Sequence, residues 1–223
     1  MRVDAVLLDL DGTLVDTAPD LVSVLNHLLV EDGRPRMPYA IARNEVSNGA
    51  TGLLRLGFGD RQPAQKMTAL RERFLAFYAD HVCINSRLFI DIKYIHHKDH
   101  DTAWGIVTNK PHALTVALLK ELGIHDVPAC VISGDRLPQR KPHPAPLQLA
   151  ASELGVEPGR CVYIGDAPRD IEAGRAAGMA TIAAAYGYIR PGEDLRSWGA
   201  DLVIKRPNDL RDALRELRSR EDG

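Results

Sequence analysis

Asp9 and Asp11 stand two residues apart at the end of the apolar run in "AVLLDLDGTLVDT", residues 5–17. An extended chain points both to the same side, and carboxylates that close a buried run cost free energy unless something positive meets them. The chemistry open to such a pair is group and proton transfer. Asp9 is a candidate nucleophile, able to attack phosphorus and divide one difficult step into two. Asp11 can protonate a leaving oxygen and later deprotonate a water, work worth about 10²–10⁴-fold. Gly12 lets the backbone turn closely, so that nearby N–H groups could face a phosphate. An isolated DxDG is more often a turn cap than a reaction centre.

Further candidates follow at the ends of other apolar runs. "IVTN" places Thr108 and Asn109 where a hydroxyl and an amide can bind phosphate oxygens, and "RKPHP" offers the point charge of Lys141. "IGDAPRD" gives Asp166 straight after an apolar run and Asp170 four residues on. A phosphomonoester carries about −1.5 to −2, and four aspartates would crowd it with the same sign. Two like unit charges about 4 Å apart repel by roughly 4 kcal/mol at an effective dielectric near 20. Such a site demands a cation, and carboxylate plus phosphate oxygens suit Mg²⁺. Asp166 fits direct ligation, and Asp170 fits the same metal or an orienting role.

The elements that must position these residues are short, continuous apolar runs: "AVLLDLD", "WGIVTN", "ACVISGD", "RCVYIGD", "ATIAAAYG" and, more weakly, "DLVI". Continuous apolarity predicts strands buried on both faces of a parallel sheet. Helical stripes lie between them: Leu114, Ala117, Leu118 and Leu122 before Gly123, and Leu147, Ala150, Ala151 and Leu154 before Gly155. That alternation predicts an α/β fold with ligands beyond the carboxyl ends of the strands. Those ends carry Asp9, Thr108, Asp135 and Asp166.

Residues 17–86 break the pattern. Leu21, Val24, Leu25, Leu28 and Leu29 predict one helix, Met67, Leu70, Phe74 and Phe77 another, and the glycine-rich "SNGATGLLRLGFG" between them holds no convincing strand. The reading is an all-helical insertion, residues 17–86, in a core made of residues 1–16 and 87–223. Within it Ser47, Asn48 and Gly49, with Arg43 and Arg55, are candidates for the non-phosphate half of a substrate. His112 reads as a helix start, His143 as a loop residue, and Tyr186 and Tyr188 as packing at the sheet edge. "FIDIKYIHHKDHDTAW", residues 89–104, fits badly; the three histidines and two aspartates of residues 96–101 suggest a polar turn rather than a metal site.

Composition narrows the classes. In 223 residues, 45% are apolar and 26% charged, with a formal net charge of −2. Disorder is excluded, and no basic excess marks a nucleic-acid partner. Cys83, Cys130 and Cys161 fit no metal spacing and read as small buried hydrophobes in a reducing compartment. No apolar stretch approaches the roughly 18 residues of a membrane span, so the expected location is the cytoplasm.

Asp9-Leu10-Asp11-Gly12-Thr13, Thr108-Asn109, Lys141-Pro142 and Gly165-Asp166 through Asp170 together resemble, in order and spacing, the four motifs of the haloacid dehalogenase superfamily. The resemblance spans most of the chain. It implies a Rossmann-like core, Asp9 as nucleophile, Asp11 as acid/base, Mg²⁺ held by Asp9, the Asp11 carbonyl and Asp166, and a mobile helical cap. Asp11 and Thr13 resemble phosphatases rather than dehalogenases or mutases. Within the superfamily the chain looks like phosphoglycolate phosphatases, and "VSNGATGLL", "YGYI" and "WGADLVI" also resemble N-acetylmuramic acid 6-phosphate phosphatases. The implied activity is hydrolysis of a small phosphorylated metabolite. A phosphomutase and a phosphometabolite-binding protein without turnover stay open as other readings.

Overall fold

The computed structural model describes residues 2–90 and 102–219. The chain begins with β1 (Ala5–Leu8), then pairs two short strands, β2 (Val15–Asp16) and β3 (Arg87–Leu88), antiparallel. It continues through β4 (Ala103–Val107), β5 (Cys130–Ile132), β6 (Cys161–Gly165), β7 (Ala180–Ala184) and β8 (Leu202–Ile204). All six apolar runs become strands of one parallel sheet in the order β5-β4-β1-β6-β7-β8. The strand order reverses at β1, which has β4 on one side and β6 on the other. That switch point is where an open parallel sheet leaves a crevice for ligands, and Asp9 is the next residue.

Alternation along β1 supplies both faces of the core. Ala5 and Leu7 pack with Val107, Ile132, Leu147, Ala150, Tyr163 and Ala173, under α6 (Ala145–Leu154) and α7 (Pro168–Ala176). Val6 and Leu8 pack with Ile106, Leu114, Leu118, Ile164, Ile182 and Leu214, under α5 (His112–Glu121) and α8 (Leu210–Ser219). Each fully buried valine, leucine or isoleucine among them contributes about 1.5–3 kcal/mol. The sheet is therefore apolar on both sides, and polar chemistry is confined to its rim.

Between β2 and β3 the chain is helical: α1 (Ala18–Glu31), α2 (Tyr39–Ala42), a 3-10 turn at Arg43–Asn48, α3 (Gly49–Phe58) and α4 (Ala64–Asp80). Leu21, Val24, Leu25, Leu28 and Leu29 of α1 are buried, as their spacing predicts. On α4 the buried stripe is Leu70, Phe74 and Tyr78. Phe77, expected there, is half-exposed and stacks between His27 and His81 at centroid distances of 4.0 and 4.2 Å. The two ends of the insertion are tied together by Asp20, whose buried carboxylate accepts the N–H groups of Asn85 and Ser86 and the Ser86 hydroxyl at 2.7–3.0 Å.

Three details correct the sequence reading. Asp135 is exposed and accepts the His112 N–H at 2.9 Å, so it caps α5 instead of joining the rim. Cys83 is half-buried, unlike Cys130 and Cys161. Tyr188 is not edge packing: its hydroxyl accepts the Thr17 and Ala18 N–H groups at 2.7 and 2.9 Å and donates to Asp16 at 2.9 Å, where the insertion begins. The histidine-rich stretch expected as a polar turn falls mainly on residues 91–101, outside the described residues.

Candidate active site

Asp9 leaves β1 with its N–H still bonded to the Ile164 carbonyl at 2.9 Å, so the neighbouring strand fixes its backbone. The residue is 5% exposed. Oδ1 accepts the Leu10 N–H at 2.8 Å and faces Lys141 Nζ at 2.9 Å. Oδ2 has no partner among the described residues. Lys141 is 4% exposed and is wholly committed to protein groups. Besides Asp9, its Nζ meets Asp170 Oδ1 at 2.8 Å, the Val107 carbonyl at 2.9 Å and the Tyr163 hydroxyl at 2.6 Å. Burial alone would lower the Lys141 pKa, but the charges of Asp170 and Asp9 raise it on balance. Lys141 thus braces the nucleophile candidate from behind and is absent from the cavity lining.

Asp11 takes a different set of partners. Its Oδ1 accepts the Thr17 hydroxyl at 2.6 Å and the Lys110 ammonium at 3.0 Å. Lys110 Nζ also donates to the Tyr78 hydroxyl at 3.0 Å and lies 4.5 Å from the Tyr78 ring centre. Burial pushes the Tyr78 phenol up to about 12. Lys110 is buried, and there too burial opposes the charge while Asp11 and Tyr78 raise its pKa on balance. Thr108 Oγ1 accepts the Lys110 N–H at 3.2 Å. Asn109 uses its amide on the Lys141 backbone, donating at 3.0 Å and accepting at 3.1 Å, which joins two motif loops.

The third group is acidic. Asp9, Asp166 and Asp170 each bring an oxygen to within 4.8 Å of the others, all buried. Asp170 is engaged with Lys141 through Oδ1 and with the Ala167 N–H through Oδ2 at 3.1 Å. Asp166 is divided: Oδ2 accepts the Tyr188 N–H at 2.9 Å and the Ser47 hydroxyl at 2.8 Å, while buried Oδ1 has no partner. Burial, then the charges of Asp9 and Asp170, push the Asp166 carboxyl up to about 7. An orphaned buried oxygen beside two more carboxylates fits a divalent cation, which prefers such oxygen ligands. The Asp11 carboxylate lies outside this cluster.

Gly12 makes room for Asp166. With φ at +87°, a Cβ there would lie 2.1 Å from Asp166 Oδ2; Gly12's own N–H is taken by the Val15 carbonyl. Gly187 is equally close, its Cβ falling 2.3 Å from that of Asp166.

The insertion docks on this rim through Arg43–Asn48. Arg43 donates to the Gly187 and Tyr186 carbonyls at 3.0 and 3.2 Å and covers the Tyr188 ring at 4.8 Å. Arg169 donates to the Ser47 carbonyl and the Asn48 side chain. Between the two regions lies a cavity of about 290 Å³, lined at the sheet end by Asp9, Asp11, Thr108, Asn109 and Lys110 and on the other side by α4 and residues 46–51. Ser47, Asn48 and Gly49 line it; Arg43 and Arg55 do not.

Lys110, Tyr78 and Arg169 are absent from the sequence reading, which gives Tyr188 only as packing. For Tyr78 a signal existed, since four residues on from Phe74 the buried stripe reaches 78. Lys110 follows Thr108 by two residues, the spacing that relates Asp9 to Asp11. Nothing local marks Arg169 or Tyr188.

A family model described as haloacid dehalogenase-like hydrolase matches residues 6–184. The chain is 41% identical over 208 residues to a phosphoglycolate phosphatase of Xanthomonas campestris pv. campestris, covering 92% of this chain and 94% of that one. It is 38% identical over 216 residues to an N-acetylmuramic acid 6-phosphate phosphatase of Pseudomonas aeruginosa, covering 96% of each. The crystal structure of a predicted phosphoglycolate phosphatase from Haemophilus somnus superposes with a TM-score of 0.83 at 26% identity, covering 96% of this chain and 99% of that one.

Proposed function

The chain belongs to the haloacid dehalogenase-like hydrolases and is a phosphomonoester hydrolase, and from that premise we propose that it is a Mg²⁺-dependent phosphatase of small metabolites, phosphoglycolate foremost, working through an aspartyl-phosphate on Asp9. The observation that carries this is the state of Asp9: one oxygen is pinned by Leu10 and Lys141, the other has no partner among the described residues, and the residue lines the same cavity as Asp11. Residues 17–86 serve as a cap over that cavity, supported by the docking of Arg43, Ser47 and Asn48 on the core. Among the described residues no helix is long and apolar enough to cross a membrane, and the three free cysteines accord with the cytoplasm.

In the first half-reaction an Asp9 oxygen attacks phosphorus and the bond from phosphorus to the ester oxygen breaks. Asp11 gives its proton to that oxygen, which leaves as an alcohol. In the second half a water oxygen attacks phosphorus, its proton passes to Asp11, and the bond to Asp9 breaks to restore the carboxylate and release phosphate. Thr17 and Lys110 fix the Asp11 carboxyl throughout, and the Thr108 hydroxyl is placed to donate to a phosphate oxygen. Asp9, Asp166 and the Asp11 carbonyl would hold Mg²⁺, with Asp170 beside them; the bound ion would neutralise charge on the transferring phosphoryl group.

A second reading, N-acetylmuramic acid 6-phosphate as substrate, is favoured by cavity size. About 290 Å³ nears the roughly 300–1,000 Å³ of pockets that bury drug-sized ligands, more room than phosphoglycolate fills. Rates of phosphate release from the two esters decide between the readings.

The test of the proposal is Asp9→Asn, which keeps the shape and removes the nucleophile. Turnover of either ester should fall at least about 10³-fold, the covalent and acid/base contributions acting together. Retained turnover removes Asp9 from its role. Chelation by EDTA should abolish phosphate release and added Mg²⁺ restore it; release unaffected by EDTA would refute the metal.

A further inference from the structure

The cations around the cavity divide into two kinds. Lys110 is held by Asp11 and Tyr78, and Arg169 by Ser47 and Asn48. Lys141, behind the wall, is surrounded by its own acceptors. Arg71 and Arg140 also line the cavity, and among the described residues neither guanidinium has an ion pair or hydrogen bond. Both are exposed and keep all their donors.

Their placement is specific. Arg71, Phe74, Leu75 and Tyr78 all line the cavity, and at i, i+3, i+4 and i+7 they form one face of α4. Tyr78 marks the inner end, where its hydroxyl meets Lys110 beside Asp11. Arg71 lies two turns away, about 10 Å along the helix at ~1.5 Å per residue. The wall between is apolar. Arg140 comes from the core side, next to the buried Lys141. Going outward from Asp9 along α4, a ligand would meet the phosphate subsite, an apolar stretch and then Arg71, with Arg140 on the opposite, core side of the cavity.

We propose that Arg71 and Arg140 determine specificity by binding a second anionic group, a carboxylate on the alcohol half of the phosphomonoester. The inference rests on the phosphatase reading of this cavity and adds the residues that would recognise the carboxylate carried by both esters proposed above, a hydroxy acid in one and a sugar-borne one in the other. The guanidinium fork matches a carboxylate with two parallel hydrogen bonds. With no acid among the described residues paired to these arginines, that match is left to the substrate. A neutral alcohol half forfeits it.

The test uses two ester pairs that differ in the carboxylate: phosphoglycolate against ethyl phosphate, and N-acetylmuramic acid 6-phosphate against N-acetylglucosamine 6-phosphate. With Mg²⁺ present, the carboxylate-bearing member of at least one pair should show a kcat/KM tenfold or more higher, carried mainly by KM. In Arg71→Ala/Arg140→Ala that ratio should collapse toward one, and Arg71→Lys should keep part of it. Which pair responds identifies whether the carboxylate comes from a short hydroxy acid or a sugar-borne one. Ratios near one in the parent protein, or ratios that survive the double substitution, overturn the inference while leaving the phosphatase reading intact. If no ester is hydrolysed, the phosphatase reading falls instead, and calorimetric titration with the same pairs decides the inference. A binding preference for the carboxylate that the double substitution abolishes sustains it, and its absence or persistence refutes it.

Discussion

Two buried lysines flank the aspartate pair, and each touches a carboxylate and a tyrosine hydroxyl. Lys141 finds every partner inside the core: Asp9, Asp170, the Val107 carbonyl and Tyr163. Lys110 spans two regions, taking Asp11 from the rim of the sheet and Tyr78 from α4 of the insertion. The Asp9 oxygen that Lys141 grips is therefore placed by groups that stay put if the insertion moves. Asp11 is placed partly by a group that would move with it. The same three residue types make a rigid anchor in one place and a coupling between regions in the other.

Lys141→Met is the strongest way to break this comparison. It leaves Asp9 and Asp170 buried beside each other with only the charge of Arg169 to offset theirs, and unpairing a buried ion pair costs about 3–5 kcal/mol. Urea unfolding near neutral pH should show a loss of that size, with turnover falling alongside it. A loss below 1 kcal/mol would mean that Lys141 is not the anchor its four contacts describe.

Lys110→Met should cost less stability and show its effect in a different place. Hydrogen bonds to charged groups contribute about 1.5–3 kcal/mol. The lower end applies, because the Asp11 side chain is 18% exposed and water can replace the ammonium. The larger consequence is a misplaced Asp11: kcat should fall about 10–100-fold, at roughly 1.4 kcal/mol per factor of ten, with KM changed much less. A variant that loses stability as Lys141→Met does, or that keeps its full kcat, would erase the distinction between the two lysines.

The same contrast explains what could be read from the chain. The six strands, and Asp9, Thr108 and Asp166 at their ends, follow from local pattern, since a buried parallel strand must be apolar and its first polar residue marks the rim. After β5 the rule points to Ser133, which is buried, and not to Asp135, which lies two residues further on and turns to the N-terminus of α5. Contacts between core and insertion leave no such trace. Lys110 and Tyr78 are 32 residues apart in sequence, and Tyr188 reaches Thr17 across 171. One-dimensional spacing cannot show which faces meet. For α4 the choice between Phe77 and Tyr78 turned on a single position of helical phase, and the stacking of Phe77 between two histidines satisfied the residue that lost the buried place.

Tyr78→Phe gives the smallest effect and the sharpest test of coupling. It removes one hydroxyl from α4, keeps the ring packed, and leaves Lys110 paired with Asp11. The expected loss is about 1 kcal/mol, the usual net value of one hydrogen bond, with turnover reduced a few-fold. Size alone would not separate a role in the coupling from a general loosening of the insertion. Combining it with Lys110→Met does, because residues that act through each other depart from additivity by about 0.5–3 kcal/mol. If the hydroxyl works through Lys110, adding Tyr78→Phe to Lys110→Met should lower kcat no further. Two independent, additive losses would show that Tyr78 merely packs, and that Asp11 is set by the core alone, as Asp9 is.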